Sequence, residues 1–376
     1  MTTPLAWRNV LHSRMRSFVA LAGVSFSIVL IFMQLGFRDA GRLSATLVFN
    51  KLDFDLMVIS RQYLFLSRCR SFPNAILERV RAFPEIRSAT PLWLGTGDWR
   101  SLDSREGWPM LVLGADLGDR PFLDPEVNNQ MGCLGQVDNV LTDRLSRPEF
   151  DEVETGIVSE IAGHRVNVAG RFTMGGGFVA GSTLIASDRT FARIFPLQDL
   201  EQVNFGLLKL QPGAQPDLID GLNAAVAPEA RVIARRDLTA CEESYWMDVR
   251  PIGIMFSSGL LISLISGGVI LYQVLVNEVH TRIREYETLL AIGYGRGQVY
   301  AVVFRQSFIY AVLGYAPAVA LADGIYALLR WRALLPVTME WSRVGNVFGL
   351  TIAMCLLATF LAVRKLGSAD PAGLFG

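Results

Sequence analysis

The chain has 376 residues, of which 51% are hydrophobic and only 19% charged, and its mean hydropathy is +0.34. Soluble domains carry about 25% charged residues, so an ordinary water-soluble enzyme is excluded. Basic and acidic residues number 35 each, which leaves no excess of positive charge to make a nucleic-acid-binding face.

Residues 1–17 predict an amphipathic interfacial helix. Thr3-Pro4 supplies a cap and a first-turn proline. Trp7, Leu11, Met15 and Phe18 then share one stripe beside Arg8, His12 and Arg16, the pattern of a helix lying in a membrane surface. The 21 residues between Arg16 and Arg38 carry no charge, long enough to cross a hydrocarbon core that needs about 20. This run exceeds a signal-peptide core, and Gly36-Phe37-Arg38-Asp39 offers no small-x-small cleavage site. Residues 18–37 therefore read as a retained first transmembrane helix.

Residues 38–250 are polar and interrupted by glycine and proline, as in a water-exposed domain tethered at both ends. Phe54 to Ser60 and Met110 to Gly114 read as strands. Asn74 to Phe83 reads as a helix capped by Asn74 and stopped by Pro84, with Ile76, Leu77, Val80 and Phe83 on one face. A second unit follows, with Phe205 to Leu210 as strand, Ala214 to Ala227 as helix and Arg231 to Ala234 as strand. Two strand-helix-strand units predict an α+β domain with two lobes, and residues 116–150 an irregular excursion between them.

Candidate chemistry in this domain fails on spacing. Met174-Gly-Gly-Gly-Phe178 is followed by no Gly-Lys-Ser/Thr and so is no phosphate-binding loop; a tight turn is expected. His164 has no ligand-spaced neighbours, and Ser182 and Ser187 lack the G-x-S-x-G frame. Cys69, Cys133, Cys241 and Cys355 form no CxxC pair and read as small buried apolar residues. No catalytic residue, metal ligand or cofactor-binding residue is expected.

Beyond Arg250, residues 252–276 predict a second transmembrane helix within a run of 27 uncharged residues. Gly259, Ser263 and Gly267 recur every fourth residue along it. Such spacing lets helix backbones approach closely, either at a subunit interface or against another helix of the same chain. Residues 277–298 form a charged connector. Glu278 and Arg282 are spaced for a helical ion pair, as are Arg282 and Glu285; Ile283, Tyr286 and Leu290 make an apolar stripe, and Gly293, Gly295 and Gly297 end the helix. Docking of a partner and a passive linker are the two readings, and docking is preferred.

Residues 299–322 predict a third transmembrane helix containing Arg305 as an interfacial anchor and Pro317 as a kink. An outer loop over 323–343, a fourth helix over 344–363 and a tail over 364–376 complete the chain. Four crossings put both termini on one side. Arginine and lysine counts near the membrane ends, five against four, do not orient them. The termini-side segments total about 52 residues, too few to form a catalytic or signalling module.

Together the local words resemble the FtsX/MacB-like permeases of ABC export systems, most closely the DevC-type branch. They are Leu5-Ala-Trp-Arg, Leu21-Ala-Gly-Val24, Phe32-Met-Gln-Leu-Gly-Phe-Arg-Asp39, Arg147-Pro-Glu-Phe150, Arg284-Glu-Tyr-Glu-Thr-Leu-Leu-Ala-Ile-Gly-Tyr294 and Ala362-Val-Arg-Lys-Leu-Gly-Ser-Ala-Asp-Pro371. The resemblance implies a homodimeric, multi-pass subunit of the bacterial inner membrane with its large domain in the periplasm. It implies a separate cytoplasmic ATPase that binds the ATP, a periplasmic membrane-fusion adaptor and an outer-membrane channel as partners. Arg282, Arg284, Glu285, Tyr286, Glu287, Leu290, Ile292 and Gly293 are then the expected ATPase-coupling residues, and a lipid or amphiphile the expected cargo. Relatives often carry an acid early in the third crossing, where this chain reads Arg305-Gln306. The alternatives are a lipoprotein-release or division-associated permease and a membrane-anchored sensor, which would need a signalling module inside. A membrane enzyme would need paired ionisable residues in the bundle, and Arg305 is the one charge expected within a span.

Overall fold

The computed structural model describes residues 14–101, 106–146, 150, 153–175, 181–213, 218–281, 288, 291–292 and 295–367. Among them are four helices long and apolar enough to cross a membrane, with an α+β domain inserted between the first and the second. The chain clusters into two units, described in turn.

The inserted unit, residues 41–252, is built on strands β1 (Leu56–Ser60), β2 (Phe72–Pro73), β3 (Ile86–Ser101), β4 (Trp108–Ala115), β5 (Asn139–Asp143), β6 (Val158–Ile161), β7 (His164–Phe172), β8 (Thr183–Ser187), β9 (Gln202–Val203), β10 (Phe205–Leu210) and β11 (Ala230–Ala234). Its main sheet runs β11-β1-β10-β3-β4-β8-β5-β7-β6, and β3 also pairs with β6. That extra pairing, Trp99 opposite Ile161 through Ser101 opposite Ser159, closes β3, β4, β8, β5, β7 and β6 into a ring. The other lobe, β11-β1-β10-β3, is antiparallel throughout and is a split βαβ arrangement. The 16-residue β3 serves both lobes: Ile86 to Leu92 pair with β10, and Leu92 to Trp99 with β4.

The split lobe carries the two helices expected from the sequence, here α2 (Ala75–Arg81) and α5 (Leu218–Val226). Alternation along the strands explains why each sheet face is buried. Leu56 and Val58 face the side covered by Ile76, Leu77, Val80, Leu222 and Val226. Met57 and Ile59 face the opposite side, where Val48, Phe49 and Leu52 pack with Leu238. Val48 and Phe49 come from α1 (Arg14–Lys51), Leu52 directly follows it, and Leu238 comes from α6 (Arg235–Ser244); these are the segments that enter and leave the domain.

Several expectations are corrected. Residues 116–150 are not an irregular excursion: they hold α3 (Pro125–Gln130), a 3-10 turn over Met131–Gly135 and β5, an interior strand of the ring. Asn74 makes no side-chain cap, because its own backbone is already helical. Cys133, in the 3-10 turn, and Cys241, on α6, are exposed rather than buried. The glycine and proline residues of β3 suggest turns yet lie inside a strand. At Gly95 a side chain would collide with the Phe195 ring, so the glycine marks close packing rather than a chain reversal.

The second unit comprises α1 through Ala40 together with α7 (Pro251–Thr281), α8 (Arg296–Ala333) and α9 (Trp341–Gly367). These helices run past the uncharged stretches that signal them, and α8 continues through Pro317. The expected outer loop over 323–343 shrinks to the residues between Ala333 and Trp341. Within the unit, α1 touches all three partners. Its Ser27 meets Gly267 of α7 and Ser25 Oγ donates to the Gly314 carbonyl of α8 at 2.8 Å, while Asp39 meets Arg343 of α9.

Leu77→Ala is expected to lower the unfolding free energy of the inserted domain by about 2–5 kcal/mol, the range for deleting a buried leucine side chain. Chemical denaturation of the full chain in detergent, followed by tryptophan fluorescence, measures it. A loss under about 1 kcal/mol would contradict the packing of α2 on the sheet.

Candidate functional site

The site lies in the inserted unit, where α1 ends and α6 begins. A helix leaves its last carbonyls without intrahelical donors, and a cation there also meets the negative end of the helix dipole. Arg235, the first residue of α6, supplies both. Its Nε donates to the Phe54 carbonyl at 3.0 Å and its Nη1 to the Phe49 carbonyl at 3.2 Å, while Nη2 reaches the Leu52 carbonyl. The guanidinium also lies 4.1 Å from the Phe54 ring centroid, and burial pulls its pKa down while Asp53 and Asp55 oppose that. The five donors of one planar group suit three divergent carbonyls; a lysine ammonium could not reproduce that fork.

Further along α6, Glu242 is fully buried and accepts a hydrogen bond from the Tyr63 hydroxyl. Desolvation pushes its carboxyl up to about 7, against the opposing hydrogen bonds of Tyr63, the Leu66 backbone and Trp246. Burial likewise raises the Tyr63 phenol well above its usual value, with the Glu242 charge adding to it, and raises the neighbouring Cys69 thiol to about 12. After α6 the backbone widens into a π-helical turn over Tyr245–Val249 before α7 starts; such turns recur at functional positions. There Phe65 stacks on Tyr245 at 4.2 Å and meets Trp246 edge-on at 5.8 Å, and Arg250 Nε donates to the Tyr245 hydroxyl at 3.1 Å. The loop after β1 is thus bound to the stretch leading into α7, while the end of α1 is bound to its beginning.

The remaining candidates carry structural roles. Among the described residues no group of three His, Cys, Asp or Glu could hold a metal ion. His164 pairs with Asp138 at 2.8 Å, Ser182 with Ser146 at 2.6 Å, and Ser187 caps the helix α4 (Asp188–Ile194). Gly175 donates its N–H to the buried Asp143 carboxylate at 2.6 Å; the rest of that glycine run, 176–180, lies outside the described residues.

No curated protein sequence matches the chain. Residues 257–371 match the family model of the FtsX-like permease C-terminal domain. This stretch is similar to an FtsX-like permease C-terminal domain. Three solved structures resemble about half of the chain. The periplasmic region of MacB from Actinobacillus actinomycetemcomitans is 10% identical, covering 49% of this chain and 90% of its own, with a TM-score of 0.35. The extracellular domain of the noncanonic ABC-type transporter YknZ from Gram-positive bacteria is 12% identical over 48% and 98%, with a TM-score of 0.32. A domain of a putative permease from Porphyromonas gingivalis is 14% identical over 48% and 86%, also with a TM-score of 0.32. All three scores fall below 0.5, so the resemblance to the family rests on residues 257–371.

Of the expected ATPase-coupling residues, Arg282, Arg284, Glu285, Tyr286, Glu287, Leu290 and Gly293 lie outside the described residues; Ile292 is exposed. In the helical unit, the Gly259, Ser263 and Gly267 face is packed against other residues of the chain. A side chain at Gly259 would come within 2.5 Å of the Gln34 amide, and one at Gly267 within 2.6 Å of Met354 and 2.8 Å of Ser27. Ser263, 3% exposed, donates to the Gly259 carbonyl. Arg305 is exposed, whereas its neighbour Gln306 is buried.

Sequence reasoning missed a buried charge. Arg343, counted as a flanking residue, has a side chain only 5% exposed and holds the Asp39 carboxylate at 2.8 and 3.1 Å, with Nη1 on the Thr338 carbonyl at 2.6 Å. The guanidinium lies 5.6 Å from the Tyr326 ring, and the Tyr326 hydroxyl donates to the Phe32 carbonyl. Tyr326 fits there because position 36 is glycine: any side chain would strike its ring. Arg235 and Glu242 were also missed, because each lies in a polar stretch, Arg235-Arg-Asp237 and Glu242-Glu-Ser244, that gives no local sign of burial.

Glu242 has a folded pKa raised above its unfolded value of about 4.5, so its neutral form favours the fold. That contribution is complete below about pH 4.5 and is lost as pH rises through about 7. The melting temperature of Glu242→Gln is therefore expected to gain on the parent protein between pH 5 and 8. A constant difference between the two across that range would remove the buried carboxyl from this account.

Proposed function

We propose that the chain is the membrane subunit of an ABC export complex that converts motion of its transmembrane helices into movement of a periplasmic domain. On this reading the protein sits in the bacterial inner membrane as a homodimer. ATP is bound by a separate cytoplasmic ATPase, which docks on the connector around Arg282, Arg284, Glu285, Tyr286, Glu287, Leu290, Ile292 and Gly293. The inserted domain drives a lipid or other amphiphile out through a membrane-fusion adaptor and an outer-membrane channel.

The observation that carries this is the Arg235 clamp. α1 is one unbroken helix from Arg14 to Lys51, and the Phe49 carbonyl in its last turn, with the Leu52 and Phe54 carbonyls just beyond it, is held by the first residue of the segment that leads into α7. A helix transmits displacement along its axis only if its far end is fixed to something that must move with it. Three backbone acceptors on one guanidinium, charge-assisted and half-buried, make that fixing stiff. Membrane-side motion of α1 against α7 would then have to be absorbed by the sheet that rests on both segments.

Two variants separate the steps. Glu285→Lys combined with Glu287→Lys is expected to reduce co-purification of the cytoplasmic ATPase. Arg235→Ala is expected to keep ATPase binding while removing the nucleotide-dependent change in protease sensitivity of the inserted domain. ATP hydrolysis by the purified chain alone, or protease accessibility placing residues 41–252 in the cytosol, would overturn the proposal.

A further inference from the structure

The inserted domain has a polar cleft of about 240 Å³ that takes no part in the clamp. It is lined by Asp53, Arg87, Ser88, Thr90, Asp119, Arg120, Pro121, Leu207 and Lys209, and the argument turns on its charges. The register of β3 and β10 sets Ser88 opposite Lys209 and Thr90 opposite Leu207, so these four share one sheet face; Leu207 is 2% exposed and forms an apolar floor. The loop bearing Asp119 and Arg120 is fastened across from it, because the Asp53 N–H donates to the Pro121 carbonyl at 2.8 Å.

The charges sort into two groups. Lys209 is committed: its ammonium lies 2.5 Å from Asp53 and 3.6 Å from Asp55. Arg87, Arg120 and Asp119 make no ion pair or side-chain hydrogen bond among the described residues. The cleft therefore presents two guanidinium groups, one carboxylate and the Ser88 and Thr90 hydroxyls. Guanidinium forks match phosphate oxygens, whereas a carboxylate repels a bare anion but accepts hydrogen bonds from hydroxyl groups. The uncommitted charge is +1. The volume is below the range of about 300–1,000 Å³ usual for drug-sized ligands, so the occupant is the size of a headgroup.

We propose that this cleft binds a phosphate ester of a polyol, its phosphate held by Arg87 and Arg120 and a hydroxyl donating to Asp119. A free sugar or glycerol phosphate and the glycerophosphate headgroup of a lipid share this chemistry. Such binding requires no ATPase and so stands apart from the transport proposal.

Calorimetry on the full chain in detergent, titrated with glycerophosphoglycerol and separately with inorganic phosphate, tests it. The ester is expected to bind more tightly than phosphate, and Arg87→Gln with Arg120→Gln to weaken it at least about tenfold, the effect of losing charge-assisted contacts. Asp119→Asn is expected to narrow the preference for the ester over phosphate, a change that general loss of folding would not produce. Native mass spectrometry from micelles containing phosphatidylglycerol distinguishes the sources. Retained lipid that disappears in the double arginine variant assigns the site to a lipid, and binding of the soluble ester without retained lipid assigns it to a free solute. No binding at millimolar ester, equal affinity for phosphate, or binding unaffected by the arginine variant would overturn the inference.

Discussion

The end of α1 and the start of α6 are tied together by one group, the guanidinium of Arg235. It gathers the carbonyls of Phe49, Leu52 and Phe54 into one planar fork. Everything below the sheet depends on that junction. Val48, Phe49, Leu52 and Leu238 can form one apolar layer under Met57, Ile59 and Leu207 only if the end of α1 and the start of α6 are held side by side. The aromatic contacts of Phe65 with Tyr245 and Trp246, and the buried Tyr63–Glu242 pair, then hold the later part of the same segment.

Burying Glu242 costs free energy that an apolar residue would not. In return, the position of α6 relative to the loop after β1 becomes specific, because a buried carboxyl tolerates few alternative partners. The π-helical turn that follows has looser backbone geometry than an α-helix. The segment is fixed at its beginning by Arg235, in its middle by Glu242 and at the π-helical turn by Phe65.

In the helical unit the corresponding device is the Asp39–Arg343 pair. A charge in a membrane bundle is expensive unless partnered, and Arg343 meets one carboxylate, one backbone carbonyl and an aromatic face. Small residues do the complementary work: Gly36 admits Tyr326, Gly259 admits Gln34 and Gly267 admits Met354. The small-residue stripe thus serves close approach of helices within one chain, one of the two readings its spacing allows.

The four membrane helices were legible because an uncharged stretch of about 20 residues is a local property that hydrocarbon selects for. β1, α2, β10 and β11 were legible for a similar reason, since each alternates or repeats within a few residues. β4 was legible too, as Met110 to Gly114; β3 and the other ring strands were not, since in β3 Pro91, Gly95 and Gly97 mimic turns and the facing Phe195 lies 100 residues away. Nor could local pattern reveal which charges are buried: Arg343 and Asp39 are separated by 304 residues, and Arg235 looks like any arginine opening a helix. The chain's own order thus determined that it crosses a membrane four times around an α+β insertion. Only the folded structure decided which side chains fasten those parts together, since a hydrogen bond between distant segments leaves no periodicity in either.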